Sequence, residues 1–295
     1  MSATLMLIGI AFLGAIASVG AQVRVDLAVP RTLFIRYEPL LAQVTITNQS
    51  GQELEFADEG NYKWFSFKIQ TTSGRLVPPY NPDYQLSPIQ IGPGQSAKRL
   101  VNLTPLYPMT EYGVYRLTAT IYSRQLQQFF SSEPALNVEI TEGREIWQED
   151  VGGPNGAGVR TISLLSHRLP EYTQLYIRIM DENGNVFCNH QLGRLVLTYG
   201  IPDIELDADN NTHILQNVAP KRFLYSVIGS SGEVRRRDFY ESVKTKPQLR
   251  RVGRGGVEVV GGIYVDPNRE AVEGEAPVKA PSVSDRPVPI PGAAE

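Results

Sequence analysis

Between residues 113 and 123 the chain reads GVYRLTATIYS, and its polarity flips at nearly every step. Tyr115, Leu117, Ala119 and Ile121 make one row, and Arg116, Thr118, Thr120 and Tyr122 make the other. A period of two sends successive side chains to opposite faces, so the pattern predicts a strand with one dry and one wet face. PALNVEIT (134–141) repeats the device with Leu136, Val138 and Ile140, and the two runs are read as the closing hairpin of a sandwich. Upstream, LAQVTITNQSGQELEF gives two short strands around an Asn-Gln-Ser-Gly turn. KWFSFKIQTTSGRLV gives another hairpin, with Phe65, Phe67 and Ile69 on one face. In TPLYP, Pro105 and Pro108 lack the amide donor and interrupt any ladder. Turn signals recur roughly every ten residues, the spacing of an antiparallel sandwich.

Past residue 142 the composition changes. EGREIWQEDVGGPNGAGVR is polar and glycine-rich and is read as a linker over 143–157. Strand pairs then resume: LYIRI and VFC around DENGN, THILQNV and RFLYSVI around APK, and SSGE leading into VRRRDFYES. A late strand is expected at Val257–Val260. The tail is rich in proline without an aromatic, a composition that predicts disorder or extended polyproline. The plan is therefore all-β: a sandwich over 22–142, a linker, a smaller antiparallel β-meander over 158–265, and a disordered tail over 266–295.

PGQSAKRLVNLTPLYPMTEYGVYRLTATI followed by SSEPALNVEI resembles bacterial immunoglobulin- or fibronectin-like domains. The resemblance implies that Gly113-Val114-Tyr115 is a tyrosine corner, its hydroxyl bonded to backbone a few residues upstream. Leu117 stands where antibody domains have cysteine, so the chain departs from that branch. DADNNTHILQNVAPKRFLYSVIGSSGEV (207–234) is similar to one blade of a β-propeller, which implies a small meander; the chain is too short for a full propeller.

The apolar run from Leu5 to about Ala21, with Val19 and Ala21 before Gln22, reads as a secretory signal over 1–21. It lacks a basic residue ahead of the apolar run, and an uncleaved anchor is the alternative. Cys188 is the only cysteine, so no internal disulfide forms and the sheets alone must supply stability. These features predict export to the periplasm or cell exterior. A net charge of −3 gives no bulk attraction to nucleic acid.

Asp207, Asp209 and Asn211 in PDIELDADNN fit the first positions of a calcium loop, D-x-D-x-N. Thr212 and Val218 stand where that loop needs glycine and glutamate, which favours a solvated turn; if any cation binds, calcium here is the expectation, and no other cofactor is nominated. Cys188 and His190 lie two apart and share a strand face, so a thiolate–imidazole pair is the one nucleophile arrangement available, against the commoner fate of a buried thiol. Arg235, Arg236, Arg237, Lys244, Lys246, Arg250, Arg251 and Arg254 suggest a grip on an anionic polymer, or simply a solvated strand. Tyr62, Trp64, Tyr80 and Tyr84 near loops are candidates to stack on sugars, or else core. The function read from these residues is a non-catalytic envelope module contacting an unidentified protein or a cell-wall or extracellular glycan. The alternative is an enzyme or enzyme-accessory subunit acting on extracellular polysaccharide through the acidic turn.

Overall fold

The computed structural model describes residues 22–153, 156 and 158–266. The signal-peptide reading and, beyond Asp266, the tail reading lie outside the described residues. Ten strands build the first half: β1 (Val23–Ala28), β2 (Leu33–Ile35), β3 (Leu41–Asn48), β4 (Leu54–Phe56), β5 (Phe65–Thr71), β6 (Ile89–Ile91), β7 (Ser96–Asn102), β8 (Gly113–Ser123), β9 (Gln128–Ser131) and β10 (Leu136–Thr141). One sheet runs β1-β3-β7 and the other β2-β10-β8-β5, with β9 continuing beside β8. The inward rows of both sheets enclose Phe34, Ile46, Phe56, Trp64, Ile69, Leu117 and Ile121. This is an immunoglobulin-like β-sandwich, and the Tyr115 hydroxyl donates to the Glu111 carbonyl at 2.9 Å as the corner motif requires.

β8 pairs antiparallel with β10, from Leu136↔Leu117 to Ile140↔Gly113. The Asn-Gln-Ser-Gly turn, by contrast, does not close a hairpin: β3 pairs with β1 and β7, whereas β4 pairs with β6. Asn48 explains the departure. Its buried side chain donates to the Gln52 and Ile91 carbonyls at 2.7 and 2.8 Å and accepts from the Ser50 amide at 2.9 Å, knotting the chain as it crosses between sheets.

The second half holds β11 (Arg144–Gly152), β12 (Val159–Arg168), β13 (Thr173–Asp181), β14 (Val186–Leu195), β15 (Asp203–Leu206), β16 (Thr212–Ala219), β17 (Arg222–Ile228), β18 (Val234–Glu241), β19 (Gln248–Val252), β20 (Gly256–Val260) and β21 (Ile263–Val265). The linker expectation for 143–157 fails over residues 144–152, because β11 pairs along its length with β12. β11 is an edge strand, and its outward Glu145, Gln148, Glu149 and Asp150 are what make it read as loop. A register shift between Glu145 and Trp147 further breaks the period.

The single small meander expected after it is two sheets, β11-β12-β13-β14 and β15-β16-β17-β18-β21, whose first four strands in each case lie side by side in chain order. Between them lie Ile162, Leu164, Ile177, Ile179, Cys188, Leu192, Ile214 and Ile228. The β13–β14 and β17–β18 hairpins share one geometry. Each closes with a five-residue turn (181–185 and 229–233). Each then skips one residue in register, between Ile179/Met180 and between Val227/Ile228. The β19–β20 hairpin adds Leu249 and Val259 over Phe223 and Tyr225.

The halves are bonded, not tethered. Ile35, Leu165 and Tyr176 pack together. Thr141 bonds His167 at 2.9 Å, and Gln191 Nε2 donates to Glu38 at 2.6 Å.

Candidate functional site

Asp207, Asp209 and Asn211 do come together, but as a hairpin turn between β15 and β16. Asp207 Oδ1 accepts from the amides of Asp209 (2.9 Å) and Asn211 (2.8 Å); Oδ2 accepts from Asn211 Nδ2 (2.7 Å) and His213 Nε2 (3.1 Å). His213 Nδ1 lies 2.7 Å from the Tyr225 hydroxyl. The DENGN turn is built the same way: Asp181 accepts from the Asn183 and Asn185 amides and from Asn185 Nδ2. Asn210, at φ 59°, takes the left-handed position that Gly184 takes in the other turn. Among the described residues no group of three His, Cys, Asp or Glu side chains is placed to hold a metal.

Burial pushes the Asp207 carboxyl up, but the donors from Asn211, His213 and the backbone outweigh it and hold it below the usual range. Its contribution to stability is thus present above the unfolded carboxylate pKa of about 3.9 and is lost as pH falls through the lower folded value. Asp207→Ala is expected to cost about 2 kcal/mol in urea unfolding. Millimolar calcium should leave the wild-type Tm unchanged; a calcium-dependent rise absent from the variant would restore the cation reading.

Cys188 and His190 share a face of β14, yet the thiol is sealed under the 229–233 turn and burial pushes its pKa up to about 12. His190 Nε2–H donates to the Gly232 carbonyl at 2.8 Å. The thiolate a nucleophile needs is thereby suppressed. The basic run is engaged within the fold: Arg235 pairs with Glu233, Arg236 with Asp238, Arg250 with Glu258 and Arg251 with Glu205. Arg237 donates to the Gln191 carbonyl, and the Lys246 ammonium lies over the Phe223 ring.

The aromatic candidates divide. Trp64 is core, its indole donating to the Leu86 carbonyl at 3.0 Å. Tyr84 is partly buried, its hydroxyl 3.4 Å from that of Tyr107, and Tyr80 is exposed at the mouth of a small cavity that Tyr37 and Tyr107 also line. Tyr62 is 53% exposed and stacks on Tyr122, ring centres 5.0 Å apart at 27°. Phe129, 50% exposed, lies 4.8 Å from Tyr122 and 5.9 Å from Tyr62. Tyr122 and Phe129 are cross-strand partners on the outward face of β8 and β9, and Tyr62 reaches over them from the loop before β5. One step along the same face, Thr120 faces Ser66 on one side and Ser131 on the other, a row of hydroxyls beside the rings. Arg124 and Glu59, paired at 3.1 Å, edge the cluster.

No protein-family model matches the chain, and no curated protein matches it. Among solved structures it is similar to a CARDB domain from Pyrococcus furiosus, solved with di-metal ions, at 16% identity over 40% of this chain and 87% of that one, TM-score 0.25. It is also similar to the periplasmic chaperone SfaE (9% identity, 72% of this chain and 96% of that, TM-score 0.25). A family 123 glycoside hydrolase from Clostridium perfringens (9% identity, TM-score 0.27) matches over 41% of this chain and 27% of its own. Likeness this remote says nothing about what the chain binds; the fold class stands on its own strand pairing.

Tyr122 is read from the sequence as part of the wet row of β8, but Tyr62 and Phe129 cover it to 7% exposure, and Phe129 is not among the sequence candidates. A signal for Phe129 was present. In QQFFSS two adjacent aromatics on a strand must face opposite ways, so one of Phe129 and Phe130 had to meet solvent. Phe130 is the buried one.

Proposed function

We propose that the chain is a non-catalytic module of the cell envelope that contacts glycan outside the cytoplasm through Tyr62 and Phe129, which the buried Tyr122 ring supports from beneath. The observation that carries this reading is the pair of exposed rings, Tyr62 and Phe129, packed over the buried Tyr122 beside the Ser66–Thr120–Ser131 row. Aromatic faces carry partial negative charge and pack against the C–H faces of a sugar ring, while neighbouring hydroxyls exchange hydrogen bonds with its equatorial groups. The rings are preordered by mutual packing, so little side-chain entropy remains to be lost on binding. The non-catalytic part of the proposal is supported by the structural use already made of Asp207, Cys188 and the arginines.

Affinity electrophoresis of the chain in gels containing cell-wall or extracellular polysaccharides tests the proposal. The wild type should be retarded by at least one polymer, and Tyr62→Ala or Phe129→Ala should weaken retardation about tenfold, as expected for loss of a stacking contact worth about 1–1.5 kcal/mol. Because both rings are half exposed, the variants should keep the wild-type Tm. Retardation lost on Asp207→Ala but kept in the ring variants would favour the polysaccharide-active alternative instead.

A further inference from the structure

At the junction between the halves, three arginines meet very different fates. Arg31 bonds the buried Glu38 carboxylate. Arg36 and Arg178 form no ion pair with any carboxylate among the described residues. Arg178 is only 6% exposed. Of its five N–H donors, only Nη2 has a protein acceptor, the Arg36 carbonyl at 2.9 Å, and Nε has none. The Arg36 guanidinium donates to no protein acceptor, and its Nε is likewise buried without a partner. Both guanidiniums lie over the Tyr37 ring, at 5.2 and 5.4 Å, and Arg36 also covers Tyr112 at 4.8 Å. Glu142 is the acidic group nearby, and it sits against the Tyr112 hydroxyl.

An arginine this deeply buried is ordinarily paired, because an uncompensated buried charge is strongly destabilising. Two guanidiniums side by side make the deficit larger: burial and then Arg36 lower the Arg178 pKa, and the opposing pull of Tyr112, Tyr37 and Glu142 does not restore it. The backbone points the same way. Tyr37 has φ 68°, a left-handed conformation that a bulky residue adopts at a cost and that clusters at ligand sites. The turn is held in place by Arg178 Nη2 and Asn189 Nδ2, which both donate to the Arg36 carbonyl (2.9 and 3.0 Å) from paired positions on β13 and β14.

We propose that Arg36 and Arg178 form a clamp for an oxyanion, a phosphate, sulfate or carboxylate group, seated between the two halves against Tyr37 and Tyr112. Guanidinium forks match the paired oxygens of such groups. The clamp is independent of the ring cluster: Tyr112 lies just before β8 and Tyr122 near its end, ten positions on, so the sites are about 30 Å apart and either can fail without the other.

The test is thermal unfolding of the full chain at low ionic strength, titrated with inorganic phosphate or with oligogalacturonate against sodium chloride of matched ionic strength. The clamp predicts a saturable rise of about 5 °C at a hundredfold excess over Kd. A response to phosphate alone assigns a tetrahedral anion, and a response to the oligomer assigns carboxylates on a chain. Arg36→Met and Arg178→Met should abolish the response, and anion-free Arg178→Met should melt close to wild type, since the unpaired charge it removes offsets the bond lost to the Arg36 carbonyl, which Asn189 still holds. No saturable shift beyond chloride would overturn the proposal. So would an undiminished response in both variants, or a large drop in Tm for anion-free Arg178→Met, which would make its guanidinium structural.

Discussion

Replacing Gly232 by alanine is expected to destabilise the chain by about 3 kcal/mol, the sum of left-handed strain and overpacking in a filled site. Gly232 has φ +91°, and a Cβ built on it falls 2.7 Å from both Cβ and Sγ of Cys188. The turn cannot simply lift away, because the Gly232 carbonyl holds His190 and its amide donates to the Gly229 carbonyl at 2.8 Å. The fold supplies its own control. Gly184 occupies the same position in the DENGN turn, at φ +80°, and a Cβ there meets nothing within 4 Å. Gly184→Ala should therefore cost only the strain, about 1–2 kcal/mol. Urea unfolding midpoints of the two variants give the clash by difference. Equal midpoints would mean that the 229–233 turn does not sit on Cys188.

Removing the Glu38 side chain should cost about 4 kcal/mol, because Arg31 is left without its counter-charge at the junction. Glu38 is 2% exposed and accepts from Arg31, Gln191 Nε2 and the Ile35 amide at 3.1 Å. Burial pushes its carboxyl above the ordinary value despite those donors. The sign follows: a folded pKa above the unfolded one favours the protonated form, so that part of the stability is complete below about pH 4.3 and is lost as pH rises through the folded value. Glu38→Gln keeps the shape without the titration. Its unfolding free energy should lack the acid-side slope of the wild type and exceed that of Glu38→Ala. Parallel pH profiles for wild type and Glu38→Gln would contradict this account of the junction.

The legible parts of the fold were those where one face alone is wet. β8 and β10 alternate cleanly, and Gly113-Val114-Tyr115 marked the corner that Tyr115 makes with Glu111. β11 escaped because an edge strand carries charge on positions that a central strand would bury, and a bulge shifts what period remains. The partners of β3 and β4 escaped because a turn signal reports reversal, not which sheet the chain enters next. At the acidic turn, D-x-D-x-N and D-x-N-G-N make the same demand locally: a carboxylate that accepts backbone amides two and four residues on. That bonding alone cannot separate an ion loop from a capped hairpin. Tyr62 was legible as a loop aromatic, but its companions come from β8 and β9, a distance along the chain that only the sheet closes.

The proposed contact with glycan lies on the outward face of the sandwich, at Tyr62 and Phe129 above Tyr122. Amide hydrogen exchange with and without a retarded polysaccharide tests it most directly. Protection confined to the 59–63 loop and to the β8–β9 hairpin, residues 120–131, is the predicted footprint. Protection centred on residues 207–213, with the ring hairpin unchanged, would contradict it.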